Sequence, residues 1–205
     1  MYWLRDLAYI PGWAVAVTAG LLIALGSRRL SLGVLAVQYL GVAWLAGQAL
    51  PLQIAAAKLV AGLMTCGILA LSVAALHWEP PAPPTGAVPQ GRVFRWIAIL
   101  LAATVALGLG RTNWTGLPGV SDAAATGASF LVALGLLQIG ITEDTLRVGI
   151  GLLTLLSGFE VVYSAIEPSL AVIALLAAVH LGIALVVSYL LLVVREPTPE
   201  TDEVR

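Results

Sequence analysis

The sequence predicts an all-α fold, a polytopic membrane helix bundle. Hydrophobic residues make up 60% of the chain, charged residues only 10%, and the mean hydropathy is +1.00. Soluble domains carry about 25% charged residues, so this composition is typical of a chain that resides in a bilayer. Apolar runs long enough to cross a hydrocarbon core of about 30 Å as helices recur along the chain. Arginines also collect in alternate breaks between these runs.

Charged and proline-rich breaks divide the chain into seven predicted spans of suitable length. They lie near residues 8–26, 30–49, 51–76, 94–110, 123–142, 146–166 and 168–194. No charge separates the second span from the third, but Gln48 to Pro51 supplies polarity and a helix start, which predicts a tight hairpin. The fourth run is short, so a count of six helices remains open. The sixth and seventh spans fold back on each other at Glu167-Pro168.

These spans group into four regions. Residues 1–76 form an N-terminal three-helix segment, residues 77–93 a Pro/Gly-rich cytoplasmic linker, residues 94–194 a four-helix segment, and residues 195–205 an acidic tail that we expect to be disordered.

The distribution of arginines predicts the orientation in the membrane. With seven spans, one side holds seven arginines and the other side two. The larger set is Arg28, Arg29, Arg92, Arg95, Arg147, Arg195 and Arg205, and the smaller set is Arg5 and Arg111. Because positive residues accumulate in cytoplasmic loops, the N terminus is predicted outside and the C terminus in the cytoplasm, and the expected location is the cell inner membrane.

A weak internal repeat is one interpretation of the helix order. Helices one to three and five to seven would run in the same directions, with the fourth helix as a spacer. The middle helix of each triplet carries one polar residue, Gln38 or Glu160, and the third helix carries a titratable one, Lys58 or His180. Parallel repeats of this kind occur in transport proteins. No extended identity links the halves, so duplication stays an open alternative.

Glu160 is the most suggestive residue for function. A charge in hydrocarbon costs from about 3 to more than about 10 kcal/mol, so an intramembrane carboxylate is a functional hypothesis unless an ordinary partner explains it. The ordinary alternative is a protonated carboxyl that hydrogen-bonds a neighbouring helix. The functional interpretation is a proton or cation relay.

Lys58 and His180 are the other titratable residues inside spans. Lys58 is close enough to the outer interface for its stem to reach it, or it takes part in charge transfer. The His180 imidazole suits a proton carrier, although a neutral histidine bonded to a backbone carbonyl is also common. The depths of His180 and Glu160 differ by roughly 8 Å along the membrane normal, so we do not expect a direct contact.

Other kinds of chemistry lack a sequence signal. There is no metal constellation, no nucleophile with a base, no phosphate-binding glycine loop and no basic patch for nucleic acid. We therefore expect no cofactor, no nucleic-acid partner and no catalytic site in this chain. The single cysteine, Cys66, lies in an apolar run and is predicted to be a small packing residue.

The segment from Gly158 to Ala165, which is GFEVVYSA, resembles the second helix of the small K-type subunit of complex I. The last predicted helix, with the step Gly182-Ile183-Ala184-Leu185, resembles that subunit's third helix, so residues 123–194 form a K-subunit-like module. A longer chain with extra helices ahead of such a module resembles component E of hydrogenase-4. C-type subunits of multi-subunit cation/proton antiporters share the module. The family's second membrane glutamate falls at Ala178 in this chain.

The resemblance implies a non-catalytic membrane-arm subunit of a complex I-like or group 4 hydrogenase-like assembly. Such a subunit contributes to proton or cation translocation, and its partners are other membrane subunits and the lipid bilayer. Glu160 would be the proton-relay carboxyl, supported by His180 and Lys58. Two alternatives remain open, which are a stand-alone transporter for an ion or small molecule and a membrane scaffold or assembly subunit.

Overall fold

The structure is a computed structural model that describes residues 3–25, 27–75, 91–112, 120–166 and 169–193. Within these ranges the chain forms seven α-helices and no strand, which confirms the predicted all-α fold. The helices are α1 (Trp3–Ala24), α2 (Arg28–Gly47), α3 (Leu52–Ala75), α4 (Arg92–Thr112), α5 (Asp122–Ile141), α6 (Thr145–Ile166) and α7 (Leu170–Val193).

Six of these helices, α2 to α7, are long and apolar enough to cross a membrane, counted over the described residues. In α1 the stretch Ile10–Ala24 is apolar, but it is shorter than the length required of a membrane span. The fourth run, which left a six-helix count open, forms a helix of 21 residues. The chain is therefore a multi-pass membrane helix bundle, with seven helices in its described part.

Three sequence predictions fall wholly or mostly outside the described residues. The linker 77–93 is described only from residue 91 onward. The turn at Glu167-Pro168 and the acidic tail 195–205 are not described at all.

The hairpin between α2 and α3 is as short as predicted. The carbonyl of Pro51 accepts hydrogen bonds from the backbone N–H groups of Ile54 and Ala55, at 2.9 and 3.2 Å. Proline fits this position because the first turn of a helix has no partner for an N–H group. The chain therefore reverses within Gln48 to Pro51, and α3 begins at Leu52.

The helices pack as two four-helix groups that share α2 and α6. In the first, which we call the site group, α2 packs on α3, α3 on α7, α7 on α6 and α6 on α2. In the second, α1 and α5 complete a similar ring with α2 and α6, and α4 packs on α5. Hence α3 and α7 belong to the site group alone, whereas α2 and α6 belong to both groups.

Two contacts define the ends of the site group. At one end, which we call the Leu52 end, Ala46 and Leu50 pack with Ile173 of α7. At the opposite end, the Arg28 end, Arg28 of α2 forms a 2.8 Å ion pair with Asp144, just before α6. Thus α2 and α6 run from the Arg28 end to the Leu52 end, and α3 and α7 run in the reverse direction.

Glycines allow α5 and α6 to approach closely. A Cβ atom on Gly158 would lie 2.9 Å from the carbonyl oxygen of Ala128, and one on Gly135 would lie 2.7 Å from the backbone nitrogen of Leu155. Backbone atoms cannot withdraw as a flexible side chain can. Small residues at helix contacts drive association in membranes through such close packing, so this seam fixes α6 against α5.

Candidate functional site

The structure brings Lys58 and Glu160 together in the interior of the site group. Lys58 Nζ lies 3.3 Å from Glu160 Oε1, and the two side chains are only 4% and 7% exposed. Each residue is six positions from the Leu52 end of its helix, at about 9 Å from that end for a rise of 1.5 Å per residue. The two titratable residues that the sequence singled out in α3 and α6 therefore form one buried pair.

His180 is also part of this cluster, and the expectation that it would not approach Glu160 is wrong. Its Nε2 atom lies 3.9 Å from Glu160 Oε2. In α-helices each Cα–Cβ bond tilts toward the helix N terminus, and α6 and α7 are antiparallel. The Glu160 side chain therefore leans toward the Arg28 end and that of His180 toward the Leu52 end, which closes the gap in depth.

The two ring nitrogens of His180 have different partners. Nδ1 lies 2.9 Å from the carbonyl oxygen of Leu176, which can only accept, so Nδ1 carries a proton and donates it. Nε2 faces the Glu160 carboxyl and lies 3.4 Å from the Ser157 hydroxyl. Ser157 donates its own proton to the carbonyl of Leu153, at 2.8 Å. In the neutral imidazole, Nε2 is then a free acceptor directed at Glu160.

Tyr39 closes the cluster on the α2 side, and the sequence analysis did not identify it. Its ring packs edge-on against the His180 ring, with 5.9 Å between centroids and an angle of 65°. Gly62 of α3 makes room for it, since a Cβ there would lie 2.5 Å from the Tyr39 ring. The hydroxyl lies near Ser157 but has no hydrogen-bond partner among the described residues. The signal available in the sequence was a tyrosine hydroxyl directly after Gln38 in an otherwise apolar helix.

A second polar pair lies next to this cluster, farther from the Leu52 end. The amide nitrogen of Gln38 donates to the Thr154 hydroxyl at 3.2 Å, and both residues are buried. The sequence analysis noted Gln38 only as a marker of the possible repeat and did not consider Thr154. Polar side chains therefore continue from Lys58 to Thr154, across about 9 Å of the bundle axis at 1.5 Å per residue.

Toward the Arg28 end of the site group, a layer of hydrocarbon side chains crosses the interior. Five buried side chains of all four helices fill this part, and we call them the apolar layer: Leu35, Leu69, Ile150, Leu153 and Val187. The first four are 0% exposed. The titratable side chains therefore lie in the half near the Leu52 end, which we call the polar half, and the apolar layer lies beyond them toward the Arg28 end.

Three polar atoms in this interior lack a hydrogen-bond partner among the described residues. They are Gln38 Oε1, Tyr39 Oη and Lys58 Nζ. For Lys58, the 3.3 Å approach to Glu160 is an electrostatic contact whose angles do not satisfy hydrogen-bond geometry. Buried polar groups are nearly always paired, and each unpaired one calls for an explanation, such as strain, a catalytic role or a bound water or ion. Three such atoms in one cluster make it the candidate site of this chain.

Charged residues at the Arg28 end form a separate group. Asp144 lies 2.8 Å from Arg28 and 4.0 Å from Arg147, and Arg147 also interacts electrostatically with Arg95. Arg95 and Arg147 further line one small cavity with Gln138. Three arginines that were predicted on one side of the membrane thus lie together, as that prediction requires. Which membrane face they occupy stays a prediction.

Side chains that could bind a metal ion do not cluster in the described part of the chain. No group of three or more histidine, cysteine, aspartate or glutamate residues lies within reach of a common metal ion there. Cys66 is a buried free thiol, in keeping with a packing role.

No protein-family model, no curated protein and no solved structure matches this chain. What the structure shows is therefore a multi-pass, all-α membrane bundle with a buried Lys58–Glu160–His180 cluster.

Proposed function

We propose that this chain is a non-catalytic membrane subunit that contributes to proton translocation, and that Glu160, His180 and Lys58 carry the proton. One observation supports this most strongly, which is the placement of two titratable side chains, those of Lys58 and His180, within 4 Å of the Glu160 carboxyl inside the bundle. A structural role needs only one hydrogen-bonding residue per helix contact, and serine or glutamine would supply it.

The geometry provides a simple exchange of one proton. When the carboxyl of Glu160 is protonated and the 3.9 Å gap between Oε2 and Nε2 closes to hydrogen-bond distance, Oε2 can donate to the free Nε2 of His180, which becomes imidazolium while Glu160 becomes carboxylate. The positive charge of Lys58 beside Oε1 favours this carboxylate. Return of the proton to Oε2 restores neutral histidine, so no other reactant is needed. Lys58 would thereby influence whether the proton resides on the Glu160 carboxyl or on His180 Nε2.

The polar half of the site group indicates where protons would enter. Lys58 and Glu160 lie nearest to the Leu52 end, and Gln38 and Thr154 lie deeper, beside the apolar layer. A proton that leaves at the Arg28 end must pass this layer or move through a partner chain. Proton transfer across only one half of the membrane would suit a subunit of a larger translocating assembly, in which partner chains complete the path.

The parent assembly is proposed from the sequence resemblance alone. A complex I-like or group 4 hydrogenase-like membrane arm, in the cell inner membrane, supplies other membrane subunits as partners. The exposed apolar faces of α3, α4 and α7 would contact these subunits or lipid. A stand-alone transporter and an assembly subunit are the alternatives that the experiment must exclude.

The test compares Glu160→Gln with Glu160→Asp. Polypeptides that co-purify with the chain in mild detergent are identified first, and proton translocation by that assembly is then measured in sealed membrane vesicles. We expect the glutamine variant to assemble and to lose most of the translocation, because an amide cannot release a proton, and the aspartate variant to keep part of it.

Ser164→Ala is the matched control, since Ser164 is buried on the same helix and its hydroxyl donates to the Val161 carbonyl of that helix. Full translocation by Glu160→Gln at normal subunit content would contradict the proposal. If no polypeptide co-purifies and the chain alone moves protons or a solute in proteoliposomes, the transporter alternative holds. An assembly that translocates normally once formed, and only fails to form without the chain, identifies an assembly subunit.

A further inference from the structure

We propose that a groove between α2 and α3 binds an anionic phospholipid, with one acyl chain in the groove and the phosphate at Arg29. The groove has a volume of about 450 Å³, within the range of about 300–1,000 Å³ that ligand sites occupy. It lies near the Arg28 end, outside the interior that holds Glu160. The proposal is therefore independent of the proposed proton relay.

The shape of the groove comes from small residues on both helices. Gly33 and Ala36 of α2 face Gly67 and Ala70 of α3 across it. No atom lies within 4 Å of a Cβ that would be added at Gly33 or at Gly67. The two glycines thus open onto free space rather than onto a packed neighbour, unlike Gly62 on the same helix.

The floor of the groove is apolar and buried. Leu32, Cys66 and Val73 form it, and they are 7%, 7% and 8% exposed. A floor of hydrocarbon and one thiol has no polar group that could orient a polar ligand. An acyl chain matches such a surface, because it needs only apolar contacts along its length.

Arg29 adds a charge at the mouth of the groove and decides the class of lipid. Its side chain is exposed and forms no ion pair with an acidic residue in the described part of the chain, whereas neighbouring Arg28 is paired with Asp144. Arginine donates to phosphate oxygens through a planar fork. The Arg28 end is predicted to face the cytoplasm, where the leaflet is rich in anionic lipids. Charge complementarity therefore favours an anionic phospholipid over a zwitterionic one.

Native mass spectrometry of the full chain in detergent tests this assignment. The chain is titrated with phosphatidylglycerol and with phosphatidylcholine of the same acyl composition. We expect phosphatidylglycerol to bind about fivefold tighter, since one arginine near an anionic surface contributes about that factor. Arg29→Gln should remove this preference, and Arg95→Gln, which removes a charge at the same end away from the groove, should keep it.

Filling the groove separates an acyl site from simple charge attraction. Gly33→Leu and Gly67→Leu place side chains in free space, so both variants should fold and should bind both lipids more weakly. Gly140→Leu is the matched control, because its Cβ also meets no atom within 4 Å but lies on α5.

Equal binding of the two lipids by the unaltered chain, or lipid binding that the groove-filling variants leave unchanged, would overturn the proposal. It would also be overturned by a second copy of the chain or another polypeptide that cross-links to Gly67→Cys in native membranes and prevents lipid binding.

Discussion

Lys58 and Glu160 approach within 3.3 Å although their helices, α3 and α6, are not packing neighbours. Both side chains extend from opposite walls into the centre of the site group, between α2 and α7. The pair thus links two helices that are not packing neighbours, and its charge state is expected to bear on stability as well as on the proposed proton transfer.

Removing one member of this pair should be more harmful than removing both. A single buried charge without its partner costs about 3–5 kcal/mol, whereas replacing a buried ion pair with apolar or neutral groups is often close to neutral. We expect Lys58→Met and Glu160→Gln each to lower the free energy of unfolding, and the double variant to recover most of the loss. Denaturant titration in mixed micelles measures this. Additive effects of the two substitutions would show that the pair carries no net interaction.

Tyr39→Phe should separate a structural from a functional role of the buried hydroxyl. The Tyr39 hydroxyl has no hydrogen-bond partner among the described residues, and an unsatisfied buried group costs about 1–3 kcal/mol. The phenylalanine variant should therefore be at least as stable as the unaltered chain. If the hydroxyl takes part in proton transfer near His180, the same variant should translocate protons more slowly. Unchanged translocation would restrict Tyr39 to packing against the imidazole.

The space around Tyr39 depends on Gly62. Its added Cβ would lie 2.5 Å from the ring, so Gly62→Ala should shift the ring and lower stability by about 1–3 kcal/mol. Gly67→Ala on the same helix meets no atom and should gain up to about 1 kcal/mol from helix propensity. Thermal unfolding of both variants in detergent compares them. Equal stability of the two variants would contradict the close contact between Gly62 and the Tyr39 ring.

Gly158 should be a sensitive glycine of the α5–α6 seam. A Cβ there would lie 2.8 Å from Leu131 Cβ and 2.9 Å from the Ala128 carbonyl, and neither atom can move without its helix. We expect Gly158→Ala to lower the unfolding midpoint clearly, and Gly140→Ala on α5 to leave it unchanged or higher. A tolerant Gly158 would mean that the helices separate at little cost.

The orientation in the membrane is tested with reporters at the C terminus. The arginine distribution predicts that this end is cytoplasmic, so a reporter active only in the periplasm should be silent there. A reporter active only in the cytoplasm serves as the positive control. Periplasmic activity would reverse the orientation, and the polar half of the site group would then open toward the cytoplasm.

The sequence contained enough information for the helices but not for their arrangement. Hydropathy and breaks such as Gln48 to Pro51 located the helices, because a bilayer demands long apolar segments. The same patterns identified Glu160, Lys58 and His180 as residues of interest. They did not show that the three meet, since this depends on which helix faces pack and on the direction in which each side chain leans.

Tyr39 and Thr154 were missed for a related reason. Each is common in membrane helices, and each matters here only because its neighbours across the helix contact are polar. Gln38 was noted as a polar residue, yet its partner Thr154 lies 116 positions away. Periodicity along one helix cannot report such a contact.

The glycine seam determines which parts of the molecule are able to move. Since α6 is held against α5 by close contacts at its glycines, we expect the helix that carries Glu160 to stay in place. Its two partners, Lys58 and His180, belong to α3 and α7, which pack on each other and contact only the site group. A tilt of this helix pair as one unit would change both distances to the carboxyl at the same time. Conformational gating of the cluster is therefore expected to be a motion of α3 with α7, with α6 as the fixed reference.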